Sequence, residues 1–106
     1  MKILVLYTYT LPKTTEELKN LRDFNAKNTG ASANRQKRLN VNIKFSSGDD
    51  GLGNRFILAE LGSQEDYDKL MADEEYQKYL FNWSRLVSNM KRTVFIPTHP
   101  VDFYIE

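Results

Sequence analysis

The fold of this chain is decided by the stretch Tyr67-Asp68-Lys69-Leu70-Met71-Ala72-Asp73-Glu74-Glu75-Tyr76-Gln77. Before Ala72, apolar side chains follow helical spacing in a segment that Ser63 and Asp66 can cap at its start. Asp73 is a good residue to begin a second helix, because its carboxylate can accept a hydrogen bond from a backbone N–H of the first turn. The stretch therefore predicts a helical region, over about residues 63–91, that is interrupted at Ala72.

The second part of this helical region carries the clearest periodicity in the sequence. Apolar and aromatic side chains recur at i, i+3, i+4 and i+7, at Tyr76, Tyr79, Leu80, Trp83, Leu86, Val87 and Met90. Lys91 and Arg92 follow, and positive charge favours a helix C-terminus. We therefore expect an amphipathic helix whose apolar side packs against a sheet.

Four segments outside the helical region are typical of β-strands. Residues 2–10 and 55–61 carry apolar side chains on both alternating faces, which predicts two central strands. Residues 93–106 are also extended in pattern, and their prolines confine that strand to a sheet edge or to a bend. Residues 35–47 alternate strictly and predict a strand with one apolar face, formed by Leu39, Val41, Ile43 and Phe45.

The connections between these segments also have recognisable signals. Thr14 and Glu17 form a capping box, which predicts a helix directly after the first strand. Residues 26–34 are small and polar, and we expect a loop there. Residues 48–54 contain three glycines, which favour a tight turn, so the second and third strands are expected to form a hairpin.

The elements follow the order β-α-β-β-α-β, which is that of a ferredoxin-like α+β domain. We expect one domain over residues 1–106, with a four-stranded antiparallel sheet whose first and third strands are central. Both helices then cover one face of the sheet, and the other face keeps apolar side chains uncovered. Since such a face normally meets a partner, the sequence predicts a homodimer.

The composition narrows the chemistry that this domain can perform. The chain has 106 residues, with 15 Lys and Arg against 14 Asp and Glu, and no cysteine. Without cysteine, thiol catalysis, disulfides and thiolate metal sites are excluded. The net charge of +1 gives no reason to expect nucleic acid or a membrane surface as a partner, and no apolar run is long enough to span a bilayer. We expect a cytoplasmic protein without a metal site or a cofactor.

The charges are distributed unevenly along the chain. Residues 60–75 carry seven acidic residues against Lys69 alone, whereas residues 24–48 contain no acid and carry Lys27, Arg35, Lys37, Arg38 and Lys44. One interpretation is a bipolar, solvated surface. The other is a basic lip that attracts an anionic small molecule toward a pocket.

Two families share this element order. Residues 6–18, Leu-Tyr-Thr-Tyr-Thr-Leu-Pro-Lys-Thr-Thr-Glu-Glu-Leu, resemble the opening of an RNA-recognition motif, and so does Ser63-Gln64-Glu65-Asp66-Tyr67 after the third strand. That resemblance implies RNA binding through aromatic side chains exposed on the two central strands. The third strand, Arg55-Phe56-Ile57-Leu58-Ala59, lacks the glycines and the second aromatic residue of that motif, so this alternative is a degenerate RNA binder.

The interrupted helix, with Ala72-Asp73-Glu74-Glu75-Tyr76 at its break, is similar to the dimeric α/β-barrel superfamily, which includes the antibiotic-biosynthesis monooxygenases. The resemblance implies that two sheets pair through their uncovered faces into a barrel, with a ligand pocket in each subunit between sheet and helices. It also implies a small aromatic or amphipathic ligand. The activities implied are cofactor-free oxygenation, isomerisation or cyclisation.

The candidate site residues are phenols, aromatic rings, two cations and the single histidine. Tyr7 and His99 are the candidates for proton transfer, because histidine is the side chain whose unperturbed pKa lies near neutrality and a phenol can protonate an enolate. Lys44 and Arg55 are the cations placed to neutralise a ligand carboxylate. The full set of candidate ligand contacts is Tyr9, Phe24, Tyr76, Tyr79, Trp83, Lys44 and Arg55. A purely structural role in the core or on the surface fits each of them as well.

Three functions remain open at this point. The first is an enzyme that works on a small molecule without metal or bound nucleotide. The second is a binding or sensor protein with the same pocket and no turnover. The third is the degenerate RNA binder.

Overall fold

The computed structural model describes residues 2–96, which form eight helices and strands. In chain order they are β1 (Ile3–Thr10), α1 (Thr15–Lys27), α2 (Ala31–Leu39), β2 (Ile43–Asp49), β3 (Asn54–Leu61), α3 (Gln64–Ala72), α4 (Glu74–Ser84) and β4 (Ser88–Phe95). The strands form one antiparallel sheet in the order β2-β3-β1-β4. The predicted ferredoxin-like α+β fold is confirmed, and so is the central position of the first and third strands.

One face of the sheet, the helix-covered face, carries the core. Every second residue of β1 points to it and is buried, namely Ile3, Val5, Tyr7 and Tyr9. The antiparallel register places Ala59 beside Val5 and Leu61 beside Ile3 on the same face. Leu21 of α1, Leu70 of α3 and Leu80 of α4 complete the core from the helices.

Side-chain caps begin the helices where the sequence predicts them. The hydroxyl of Thr14 accepts a hydrogen bond from the Glu17 N–H at 3.1 Å and donates to Glu17 Oε1 at 2.7 Å. Ser63 Oγ accepts from the Asp66 N–H at 3.1 Å. Asp73 ends α3 and also begins α4, because its carboxylate accepts a hydrogen bond from the Tyr76 N–H at 3.0 Å. The predicted break after Ala72 is confirmed.

Residues 28–30 form a turn, in agreement with the loop predicted over residues 26–34. From Ala31 an additional helix, α2, replaces the rest of that loop and the first part of the strand predicted over residues 35–47, so both predictions are wrong there. It lies between Gly30 and Asn40, whose backbones are left-handed with φ of 79° and 54°. The alternating pattern that begins at Leu39 spans the end of this helix and the next strand. Because the chain reverses direction at Asn40, that pattern does not come from one extended segment.

The second half of the predicted long helix is also shorter than expected. α4 ends at Ser84, whose hydroxyl donates to the Phe81 carbonyl oxygen at 2.7 Å. Three apolar residues beyond it still pack against the core, but they do so from a turn and from β4: Leu86, Val87 and Met90.

The last described strand therefore begins at Ser88 rather than at residue 93. Lys91 and Arg92, expected at a helix C-terminus, pair with Thr8 and Tyr7 of β1 instead. The physical reason is that β1 would otherwise be an edge strand with an unpaired row of backbone groups, and pairing satisfies them. The rest of the predicted strand, including His99, lies outside the described residues.

No helix within residues 2–96 covers the second face of the sheet, which we call the open face. Leu6 of β1 lies beside Leu58 of β3 at its centre, and both are half-buried. Phe56 is 38% exposed and lies over Gly48, where an added Cβ would stand 2.6 Å from its ring. In the central strands, Phe56 is the aromatic residue on this face. The alternative of an RNA-binding surface therefore depends on Phe56 for base stacking, and it stays a prediction.

Within the described part of the chain, no helix is both long enough and apolar enough to cross a membrane.

Candidate functional site

A cavity of about 530 Å³ lies between the helix-covered face of the sheet and the helices. Strands β1, β2 and β3 and helices α1, α2 and α4 supply its lining, together with the α1–α2 junction. Five of the residues singled out in the sequence line it: Tyr7, Tyr9, Tyr76, Tyr79 and Trp83. Its volume is in the range of cavities that hold small organic molecules.

Two phenols meet in the wall of this cavity. The hydroxyls of Tyr7 and Tyr76 are 2.8 Å apart, and the two residues are only 3% and 8% exposed. Burial, followed by the proximity of Tyr7, raises the pKa of Tyr76 far above its usual value, and the positive charges of Arg35 and Arg92 only partly oppose this. The Tyr76 hydroxyl is therefore a weaker acid than an ordinary phenol, and its role is to donate or accept hydrogen bonds. One hydroxyl hydrogen is used between the phenols, which leaves one that can be donated to a ligand.

Trp83 forms a second part of the wall. Its ring meets Tyr9 edge to face with centroids 4.6 Å apart, and meets Tyr7 in the same manner at 6.3 Å. Edge-to-face contacts of this kind fix ring orientation. Because Trp83 is on α4 and both tyrosines are on β1, these contacts also fix the helix against the sheet.

Phe24 stands behind the cavity wall and supports it. Its ring stacks on Tyr79 at 5.4 Å with an interplanar angle of 25°, and Tyr79 stacks in turn on Tyr76 at 6.5 Å. Burial raises the pKa of Tyr79, and the charge of Arg35 opposes that rise. The predicted ligand contact Phe24 is therefore placed by the structure next to a lining residue.

Arg35 is a lining residue that was not among the candidate ligand contacts, although it belongs to the basic segment interpreted as a possible lip of a pocket. It projects from α2, is 6% exposed, and its guanidinium lies 4.8 Å from the ring centroid of Tyr76 and 5.1 Å from that of Tyr79. Its Nε is buried and has no hydrogen-bond partner within residues 2–96. A signal was present, because Ala31, Arg35 and Leu39 are spaced by four and share one face of a helix. That signal is invisible when the segment is interpreted as loop and strand.

An ion pair one turn further along α2 holds this helix in place. The guanidinium of Arg38 donates two hydrogen bonds, at 2.8 and 2.9 Å, to the two carboxylate oxygens of Asp73. The hydrogen bonds from Arg38 are the main reason why the pKa of Asp73 is lowered. Since Asp73 also caps α4, a single carboxylate joins α2 to the start of the helix that carries Tyr76 and Tyr79.

Besides Phe24, two predicted site residues among the described residues do not line this cavity. Arg55 lies beside Tyr9 and lines an adjoining cavity of about 430 Å³; its charge lowers the pKa of Tyr9, although burial raises that pKa more strongly. Lys44 lies on the open face, next to Glu60 in the strand register. His99, the second candidate for proton transfer, lies outside the described residues.

The arrangement can hold a flat molecule between aromatic rings and donate hydrogen bonds to one polar group. Tyr7 and Tyr76 supply the phenolic donor, and Arg35 supplies a positive charge in the same space. In the part of the chain that the structure covers, no group of three or more Asp, Glu or His side chains is arranged to hold a metal ion.

Neither a protein-family model nor a curated protein matches this sequence. Solved structures do match. A Deinococcus radiodurans protein assigned as an antibiotic biosynthesis monooxygenase has a TM-score of 0.64 and 15% identity, over 96% of this chain and 98% of that chain. A variant of SnoaB, a cofactor-independent oxygenase from Streptomyces nogalater, has a TM-score of 0.55 and 9% identity, over 94% and 96%.

A dimeric ferredoxin-like protein of unknown function from Thermobifida fusca has a TM-score of 0.54 and 12% identity, over 90% of each chain. At these identities the likeness concerns the fold. The chain therefore has the same ferredoxin-like fold as these proteins, which is the fold predicted from its sequence.

Proposed function

We propose that this protein is a homodimer that binds a small aromatic or amphipathic molecule in the cavity between its sheet and its helices. The observation that carries the proposal is the cavity of about 530 Å³, walled by Trp83 and by the Tyr7–Tyr76 pair. Ligand sites are typically apolar and aromatic with a few converging polar groups, and this lining has that character.

The proposed dimer forms through the open face. Leu6, Leu58 and Phe56 lie together there and are only partly buried within one chain. Pairing two such faces removes apolar surface from water, which is the main driving force for association. The similar protein from Thermobifida fusca is described as dimeric.

A test of ligand binding starts from native mass spectrometry of the protein purified from its own host. We expect a small molecule to remain bound, one per subunit. Ala31 lines the cavity, whereas Ala33 on the same helix is exposed. We therefore expect Ala31→Trp to fill the cavity and lose the bound mass, while the control Ala33→Trp keeps it. No bound mass on the wild-type protein, or the same mass on both variants, contradicts the proposal.

A second candidate function is catalysis in the same cavity, without a metal or nucleotide. It is favoured by the Tyr7–Tyr76 hydroxyl pair, which can donate a hydrogen bond to a developing enolate oxygen. The similar SnoaB is described as a cofactor-independent oxygenase. Oxygenation, isomerisation and cyclisation of carbonyl compounds can each proceed through an enolate.

Tyr7→Phe distinguishes catalysis from binding, with the co-purified compound as substrate. If the phenols stabilise a developing enolate oxygen by a hydrogen bond, turnover falls by about 100-fold or more while affinity changes little. A loss of affinity without any turnover in the wild-type protein assigns the cavity to binding alone.

A further inference from the structure

Arg35 is a buried cation that has no anionic partner within residues 2–96. The residue is only 6% exposed, and it lines the proposed ligand cavity. Buried charges in proteins are normally paired, because an unpaired charge loses its hydration without compensation. Within residues 2–96, Arg35 forms no ion pair.

Among the described residues, the groups near Arg35 do not supply the missing anion. Asp73 is close enough for the charge of Arg35 to contribute to its lowered pKa, but Arg38 occupies both of its oxygens. Tyr76 and Tyr79 offer Arg35 the faces of their rings, which stabilise the cation but accept no hydrogen bond in the plane of the guanidinium. The Nε–H is left without an acceptor.

The geometry favours a carboxylate over other anions. The two ring contacts use the faces of the tyrosine rings and leave the N–H donors of Arg35 for an anion. A guanidinium carries parallel pairs of N–H donors, which match the two oxygens of a planar carboxylate. The surrounding rings match a flat apolar body attached to that carboxylate.

We propose that Arg35 anchors the ligand through a carboxylate, so that the cavity binds an aromatic or amphipathic carboxylic acid. The proposal rests on the proposed binding function and adds the chemical class of the ligand. Arg38 contributes indirectly as a positioning residue, since its bond to Asp73 fixes α2 over α4.

The test measures binding of 2-naphthoate and of its neutral isostere 2-naphthamide by isothermal titration calorimetry. We expect the wild-type protein to prefer the acid by at least tenfold. Arg35→Met removes this preference and leaves the affinity for the amide unchanged. Lys37→Met is the matched control, because Lys37 is exposed on the same helix and its loss changes the net charge equally; it keeps the preference.

Arg35→Lys is included because it retains the charge and is less disruptive to folding. It loses the parallel donors and is expected to retain only part of the preference. Circular dichroism establishes that each variant is folded.

Each outcome decides one of the two proposals. Equal binding of acid and amide to the wild-type protein, or a preference that survives in Arg35→Met, overturns the anchor but leaves the binding cavity standing. Tighter binding of 2-naphthyl phosphate than of 2-naphthoate overturns the assignment of a carboxylate. Absence of binding by all three compounds, together with no co-purified molecule, overturns the binding function itself.

Discussion

At the scale of single residues, the contact between Tyr7 and Tyr76 joins two positions that are 69 residues apart in the sequence. Each hydroxyl is buried, so removing one leaves the other without its partner, whereas removing both leaves no unsatisfied group. The two substitutions should therefore not be additive.

We predict that Tyr7→Phe and Tyr76→Phe each lower the free energy of unfolding by about 1 kcal/mol. The double variant should lose less than the sum of the two, with a coupling energy of about 1 kcal/mol. Urea unfolding of the four proteins in this cycle measures it. Strict additivity would show that the hydrogen bond contributes nothing to stability.

The tyrosines of the site could be predicted from the sequence, whereas its arginine could not. Tyr7 and Tyr9 follow the alternation of a strand, and Tyr76, Tyr79 and Trp83 follow the repeat of a helix, so their faces are set by local periodicity. The inward orientation of Arg35 depends on whether its segment is helix or strand. The segment is a helix bounded by left-handed residues at both ends, and a hydrophobic pattern does not reveal such residues.

At the scale of elements, the α3–α4 junction was predictable and the α4–β4 junction was not. Asp73 caps a helix through its own side chain, so the signal is local. The end of α4 near Ser84 is set instead by the pairing of β4 with β1, which are distant in sequence. Leu86, Val87 and Met90 are apolar in either arrangement, so their spacing does not distinguish the two.

The double role of Asp73 gives a prediction for this junction. Asp73→Ala removes the helix cap and the ion pair, and should lower the free energy of unfolding by about 1–2 kcal/mol at pH 7. Asp73→Asn keeps a capping oxygen and loses only the ion pair to Arg38. Because the Arg38 side chain is 45% exposed and its charge is screened by water, we expect Asp73→Asn to cost clearly less than Asp73→Ala.

The same residue sets a pH dependence. Since the folded protein lowers the pKa of Asp73 below 3.8, this carboxylate stabilises the fold above that value, and its contribution is lost as the pH falls through the lowered pKa. The difference in unfolding free energy between the wild-type protein and Asp73→Asn should therefore be constant from pH 7 to about pH 5 and shrink at lower pH. A difference that does not change with pH would exclude the ion pair as its source.

At the scale of the whole molecule, the two faces of the sheet have separate tasks under the proposed function. The helix-covered face carries the cavity, and the open face carries the dimer contact. The near-neutral total charge and the absence of cysteine do not indicate this division. The presence of apolar residues on both faces of residues 2–10 indicates it, because a single layer of helices can cover only one face of the sheet.

This division predicts that the dimer can be broken without emptying the cavity. Leu58 lies at the centre of the open face beside Leu6, and a stable interface of about 800 Å² per subunit would bury both. Leu58→Glu places a charge there that pairing would have to desolvate, so we expect a monomer in sedimentation velocity at micromolar concentration. Leu52→Glu is the control, since Leu52 is 84% exposed in the β2–β3 turn, and it should remain dimeric like the wild-type protein.

The two variants also test whether the faces are independent. If the open face only joins subunits, monomeric Leu58→Glu keeps its circular dichroism spectrum and its affinity for the cavity ligand, because Tyr7, Arg35 and Tyr76 all lie on the other side of the sheet. Sedimentation of the wild-type protein as a monomer would contradict the proposed dimer. A monomeric variant that is folded but no longer binds shows instead that the cavity needs the second subunit, and this would make the dimer part of the binding site.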